Sequence, residues 1–165
     1  MIRIRHSITV ALMGVFILGC AGGPRVGTQA PGFVALDDEG QPISLHDYRG
    51  SVVVFYFWAT WSPPCVVVGP RVQAIQEEFD GKDVVVLGVH YDAGGNPGKY
   101  MAEHKYTYEL IPRGRVVVDA YGVKKIPQIV VVDPNGTVVY QQIGFEERDK
   151  ERLTDVIKKN LPQNK

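Results

Sequence analysis

Phe57-Trp58-Ala59-Thr60-Trp61-Ser62-Pro63-Pro64-Cys65 is the stretch on which the reading of this 165-residue chain turns. Ahead of it, Ser51 to Trp58 (Ser-Val-Val-Val-Phe-Tyr-Phe-Trp) is almost wholly apolar, β-branched or aromatic. A strand hydrophobic on both faces belongs in the middle of a covered sheet. Behind it, Val68, Val72, Ile75 and Phe79 recur at spacings of four, three and four, one face of a helix. The stretch is therefore a strand-to-helix corner. Helix N-termini carry unpaired N–H groups and partial positive charge, which stabilise an anion. A cysteine at the first position of such a loop has its pKa lowered and becomes a nucleophile, and a second one three residues on resolves the mixed disulfide. Here those two positions hold Ser62 and Cys65.

Working outward, Gly69-Pro70 interrupts the helical pattern and predicts a kink. Asp83 to His90 reads as a second buried strand, so strand, helix and strand form a right-handed parallel crossover. After the glycine-rich Ala93-Gly94-Gly95, Asn96 is an N-cap and Pro97 the first position of a helix running to about His104. Tyr108 to Ile111 suggests a short strand, and Val116-Val117-Val118 favours β structure by propensity. Ile129 to Val132 and Thr137 to Ile143 are strands around the turn Asp133-Pro134-Asn135-Gly136. Glu146 to about Asn160 closes as an amphipathic helix with Leu153, Val156 and Ile157 on one side. Toward the N-terminus, Phe33 to Leu36 and Gln41 to Leu45 flank Asp37-Asp38-Glu39-Gly40 and suggest a hairpin.

The first residues read differently. Arg3 and Arg5 precede an apolar run from Ile8 to Leu18, about eleven residues and too short to span a bilayer of roughly 30 Å. It suits a secretory signal. Its end, Ile17-Leu18-Gly19-Cys20, resembles the lipobox of bacterial lipoproteins, which implies cleavage after Gly19 and lipidation of Cys20. Residues 1–19 are then a signal peptide, 20–30 a small, polar, flexible tether, and 31–165 one domain. The chain has two cysteines; with Cys20 lipidated, Cys65 is left without a partner in its own chain. Eighteen basic residues balance eighteen acidic ones, which speaks against a nucleic-acid partner. The expected location is the bacterial cell envelope, with the domain lipid-anchored on the periplasmic or extracellular side.

The corner motif, within Phe57 to Cys65, resembles that of the membrane-anchored thioredoxin-like proteins of the TlpA and ResA type. Their loop reads Trp-Cys-x-Pro-Cys. The likeness extends over Ser44-Leu45…Asp47-Tyr48-Arg49-Gly50, Pro70, Tyr121-Gly122-Val123…Ile126-Pro127 and Asp133…Gly136. The resemblance implies a thioredoxin fold: α/β, with a central mixed sheet flanked by helices and an N-terminal β-hairpin extension. It implies thiol-disulfide oxidoreductase ancestry, a cis peptide bond before Pro127, and a substrate groove formed by Trp61, Pro63, Pro64, Ile126 and Pro127. Two positions depart from the family. Ser62 replaces the attacking cysteine; a serine is a poor nucleophile without a base, and none is evident beside it. It is, however, a preferred N-cap, whose hydroxyl accepts from the N–H of Cys65. Val68 stands where the family often has an acid that helps move protons.

Cys65 then has two readings, a monothiol forming mixed disulfides or a sulfenic acid, and an inert half-buried thiol shielded by Pro63, Pro64 and the following valines. His46, His90 and His104 are scattered, with His90 and Asp92 the one pairing that suggests a metal or proton-relay site. Copper carriage wants a second thiol near the histidine. The Thr-x-x-Cys of peroxiredoxins does not fit, because Pro63 occupies the place of the cysteine after Thr60. The expected function is client-protein binding or weak monothiol chemistry without dithiol turnover, with no metal and no cofactor. The alternative is an active oxidoreductase using Cys65 with an external or partner-protein thiol, in redox homeostasis or cytochrome c maturation.

Overall fold

The structure, a computed structural model, describes residues 22–92 and 94–163. The signal segment 1–19 and the lipidation candidate Cys20 lie outside the described residues. The strand expected at the centre is there. Every residue of β3 (Val52–Trp58) is buried, because the strand is paired on both edges and covered on both faces. It follows a hairpin of β1 (Val34–Leu36) and β2 (Pro42–Ser44) and a single 3₁₀ turn at Leu45–Tyr48. It precedes α1 (Pro63–Glu78), β4 (Val84–His90), α2 (Pro97–His104), β5 (Glu109–Ile111), α3 (Arg115–Ala120), β6 (Gln128–Val132), β7 (Val138–Ile143) and α4 (Asp149–Asn160). The main sheet has the order β5-β4-β3-β6-β7, parallel across β5, β4 and β3 and antiparallel from β3 to β7.

Side chains of a strand alternate between faces, and β3 divides the core accordingly. Val52, Val54, Tyr56 and Trp58 join Val68, Val72, Ile75, Leu153 and Ile157 beneath α1 and α4. Val53, Phe55 and Phe57 join Leu45, Val117, Val118 and Tyr121 on the face that carries the hairpin and α3. The helical face expected from Val68, Val72, Ile75 and Phe79 is wholly buried. Gly69-Pro70 does not divide the helix, which is anchored to the sheet before and after the proline; Gly69 is where Tyr106 lies against it, a Cβ there standing 2.6 Å from the hydroxyl. Asn96 caps α2 as expected, its side-chain oxygen accepting from the N–H of Lys99 at 2.9 Å.

Three local readings differ. Val116-Val117-Val118 is helical in α3, not a strand. A strand would have sent Val117 and Val118 to opposite faces, whereas this helix buries both against Phe55 and Tyr121 and exposes Val116. The turn is set by Gly114, which donates to the His90 carbonyl at 3.0 Å and whose own carbonyl receives Val117 and Val118. The last helix starts at Asp149, because the Asp149 carboxylate takes the N–H of Glu146 and holds the preceding residues in a turn. Within the segment expected as a tether, Gly27, Thr28 and Ala30 bond the backbone of Gly136 and Val138 at 2.8–2.9 Å.

Gly114→Ala puts a Cβ 2.3 Å from the Val89 side chain and 2.5 Å from the His90 carbonyl. The backbone there has no room to yield. The expected loss is about 1–3 kcal/mol, read as a lower urea midpoint at unchanged slope.

Candidate functional site at the Ser62–Cys65 corner

The site lies where β3 ends and α1 begins. Ser62 is the N-cap residue in extended conformation. Its cap is made by the backbone: the Ser62 carbonyl accepts from Cys65 at 2.9 Å and Val66 at 3.2 Å, and the hydroxyl makes no capping bond. This corrects the expected role of the side chain, and the reason is local. Pro63 and Pro64 occupy the first helical turn and bring no N–H, while that of Cys65 is already taken by the carbonyl. Little of the usual helix N-terminal donor array is therefore left to stabilise a thiolate.

Cys65 is a free thiol and is 2 % exposed. Burial pushes its pKa up from the ordinary thiol value, against a weaker opposing pull from the Ser62 side chain, the Ala59 backbone and the Tyr56 hydroxyl. Tyr56, buried behind it, donates to the Cys65 carbonyl at 2.8 Å. Val68 is 3 % exposed and packs into the core beneath α1, so the place of the family's acid is filled by hydrocarbon. The shield is the protein interior, not the valines after the cysteine: Val66 and Val67 are 43 % and 59 % exposed. With exposed Trp61, Pro63 and Pro64 they make an apolar surface around a concealed sulfur.

The loop is clamped from β4. Trp61 donates through Nε1 to an Asp92 oxygen at 2.9 Å, and the other oxygen of that carboxylate accepts from the Gly94 N–H. Fully buried His90 accepts from the Thr60 N–H at 3.4 Å through Nε2 and meets the Asp92 carbonyl at 2.7 Å through Nδ1. Those roles make Nδ1 the protonated nitrogen. His90 thus ties the loop to the next strand. His46 sits in the 3₁₀ turn and His104 stacks on Tyr100 at 4.0 Å, each away from it. Among the described residues no three His, Cys, Asp or Glu side chains converge as metal ligands.

The Ile126–Pro127 bond is cis. Gln128 pairs with Phe57, so the register carries Pro127 opposite Trp58, at the end of β3 from which the loop departs. Pro127 is buried and Ile126 half-buried, touching both core clusters. The fold thus brings Trp61, Ser62, Pro63, Pro64, Cys65, Ile126 and Pro127 to one end of the sheet. Sequence reasoning did not find the Trp61–Asp92 bond; Trp58 and the tyrosines at 100, 106 and 108, which the sequence offers as a groove lining or as core, form an aromatic cluster beneath α1. That cluster holds Trp58, stacked on Tyr56 at 6.1 Å, with Tyr100, Tyr106 and Tyr108; the Trp58 Nε1 and the Tyr100 and Tyr108 hydroxyls are buried without partners. A signal existed in the clustering of four tyrosines and a tryptophan, but it does not distinguish a polar lining from ordinary packing.

A five-stranded mixed sheet with a cis proline facing a strand-to-helix corner defines a thioredoxin-fold protein. The thioredoxin domain of a thiol-disulfide oxidoreductase from Bacteroides vulgatus superposes with a TM-score of 0.71 at 23 % identity, over 84 % of this chain and 99 % of that one. The crystal structure of a thiol:disulfide interchange protein DsbE from Chlorobium tepidum matches at 0.75 and 33 % identity, over 84 % and 99 %. Thiol-disulfide oxidoreductase ResA of Bacillus thuringiensis (strain Al Hakam) is 31 % identical over 140 residues, 84 % of this chain and 80 % of the relative. The AhpC/TSA family profile matches residues 26–141. The chain belongs to the AhpC/TSA family, as a TlpA/ResA-like member of its thiol-disulfide oxidoreductases.

Only a thiolate attacks an alkylating agent, and burial holds this sulfur as a thiol. Iodoacetamide should modify native Cys65 at pH 7 on the order of tenfold or more slowly than free cysteine. The rate should still be climbing above pH 9.0, the ordinary value for the group. Unfolding in urea should bring the rate to that of free cysteine, read by mass spectrometry of quenched samples.

Proposed function

We propose that this is a membrane-tethered, extracytoplasmic thioredoxin-like protein that binds client polypeptides and has lost dithiol turnover. The observation that carries the reading is the corner itself. Ser62 stands in the attacking position, and Cys65, the one cysteine among the described residues, is a buried thiol whose pKa burial raises. Exchange with a disulfide needs a thiolate that can reach it and a second thiol to release the mixed product. Neither is supplied here. What remains is the docking apparatus: the cis Pro127 beside the loop, and the exposed apolar group of Trp61, Pro63, Pro64, Val66 and Val67. Such a surface suits the apolar side chains of an extended peptide. Clients, or a partner thiol protein, are the partners this reading names. Membrane attachment is through lipid on Cys20, and its support is the Leu18-Gly19-Cys20 signal end.

Ser62→Cys is the direct test of lost turnover. The variant should form an intramolecular disulfide with Cys65 and, with dithiothreitol as electron source, reduce insulin disulfides, while the natural chain shows no rate above background. Substantial turnover by the natural chain with glutathione overturns the proposal in favour of a monothiol oxidoreductase.

Client binding is tested separately. Trp61→Ala and Val67→Asp should each weaken binding of an unfolded, carboxymethylated polypeptide by about 1–2 kcal/mol, roughly 5- to 30-fold in Kd by titration calorimetry. Binding unchanged in both variants removes the apolar surface from the account.

A further inference from the structure

The chain meets its own fold very soon after Cys20. Gly23 packs directly on the end of α3: a Cβ there would stand 2.0 Å from the Tyr121 carbonyl oxygen. The match is two-sided, since a Cβ on Gly122, which has a φ of +60°, would stand 2.5 Å from the Gly23 nitrogen. Three residue steps separate Cys20 from Gly23. At no more than about 3.6 Å per residue, the two lie within about 11 Å of each other.

The direction of this segment follows from its partners. Gly27 and Ala30 bond Val138 and Gly136 at the start of β7. That is the end of the sheet away from the thiol loop, because Val138 pairs with Val132 and Val132 with Val53. Gly22, by contrast, lines a cleft with Tyr91, Arg115 and Lys124. Tyr91 donates to the Trp58 carbonyl at 2.7 Å, at the thiol-loop end. The segment therefore climbs the α3 face and leaves the domain beside the loop.

Two lysines at that exit stand in no ion pair. Arg115 is paired with Asp119 at 3.0 Å, and the Asp92 carboxylate is held by Trp61 and Gly94. Lys124 and Lys125 are exposed and stand in no ion pair among the described residues. Basic side chains near a membrane surface are drawn to anionic headgroups, each by about 1 kcal/mol. Exposed tryptophan at the same end suits the lipid–water boundary.

We propose that the domain rests on the bilayer by its thiol-loop end, held there by the short Gly22-Gly23 lead and by Lys124 and Lys125 against anionic headgroups. This rests on the lipid anchor at Cys20 proposed above. It restricts the surface of Trp61, Pro63 and Pro64 to polypeptide lying at the membrane, such as the segment of a chain just emerging from it.

The experiment uses the full-length lipidated protein in phosphatidylethanolamine–phosphatidylglycerol vesicles containing brominated acyl chains, with acylation of Cys20 checked by the mass of the N-terminal peptide. Trp61 is the natural reporter. A Trp61→Phe, Asp80→Trp double variant moves the reporter to the foot of α1, and buried Trp58 is common to both. Trp61 should be quenched several-fold more than the reporter at position 80. A flexible insert of about twenty glycine and serine residues between Ala21 and Gly22 should remove most of the difference. Lys124→Glu with Lys125→Glu should reduce it on phosphatidylglycerol vesicles and leave it unchanged on phosphatidylcholine ones. Equal quenching of the two reporters in acylated protein overturns the orientation while leaving the anchor intact. Absence of acyl mass on Cys20 overturns both.

Discussion

Everything in this molecule hangs on the burial of β3. Seven consecutive residues, Val52–Trp58, have no polar side chain free in solvent and no open edge. A strand of that kind is stable only when helices or hairpins cover both of its faces. Alternation then assigns each residue a layer, with Tyr56 and Trp58 under α1 and Phe55 and Phe57 under α3 and the hairpin. Because β3 is hemmed in, the chain can leave it only from its end, and there Ser62 turns it into a helix lying back across the sheet. The position of the functional loop is a consequence of packing five residues earlier.

The same burial explains the chemistry. A cysteine one turn into α1 faces inward, onto Tyr56 and the core, and loses water on every side. In a two-thiol loop that concealment suits a resolving thiol, since the exposed partner makes the first attack. With Ser62 in the outer position the arrangement keeps its shape and loses its reactive member. Pro63 and Pro64 deepen the effect by removing N–H groups that would favour a thiolate. Under the proposed reading the corner presents an apolar rim in place of exchanging electrons.

Legibility tracked how local the cause was. The turn Asp133-Pro134-Asn135-Gly136, the Asn96–Pro97 helix start and the buried runs of β3 and β4 are each governed by neighbouring residues, and each lies where the sequence places it. Val116-Val117-Val118 did not, because its β propensity is worth tenths of a kcal/mol and the face available beside Phe55 and Tyr121 accepts a helix. The cap at Ser62 was half legible. The residue is the N-cap, yet its hydroxyl lies beside the thiol and the carbonyl does the capping, which depends on two prolines and a crowded interior together.

The Ser62-Pro63-Pro64-Cys65 loop shows where the division falls. Sequence by itself determined the strand-to-helix corner and the missing nucleophile, since hydrophobic period and residue identity are properties of the chain, and its resemblance to the TlpA and ResA type implied the architecture. Tertiary structure alone decided that Cys65 is concealed while Val66 and Val67 are exposed, that Asp92 holds Trp61, and that Gly23 is seated on Gly122. Burial, and with it the free energy of ionising a thiol, is set by what the rest of the chain places around an atom, and residues adjacent in sequence do not share it.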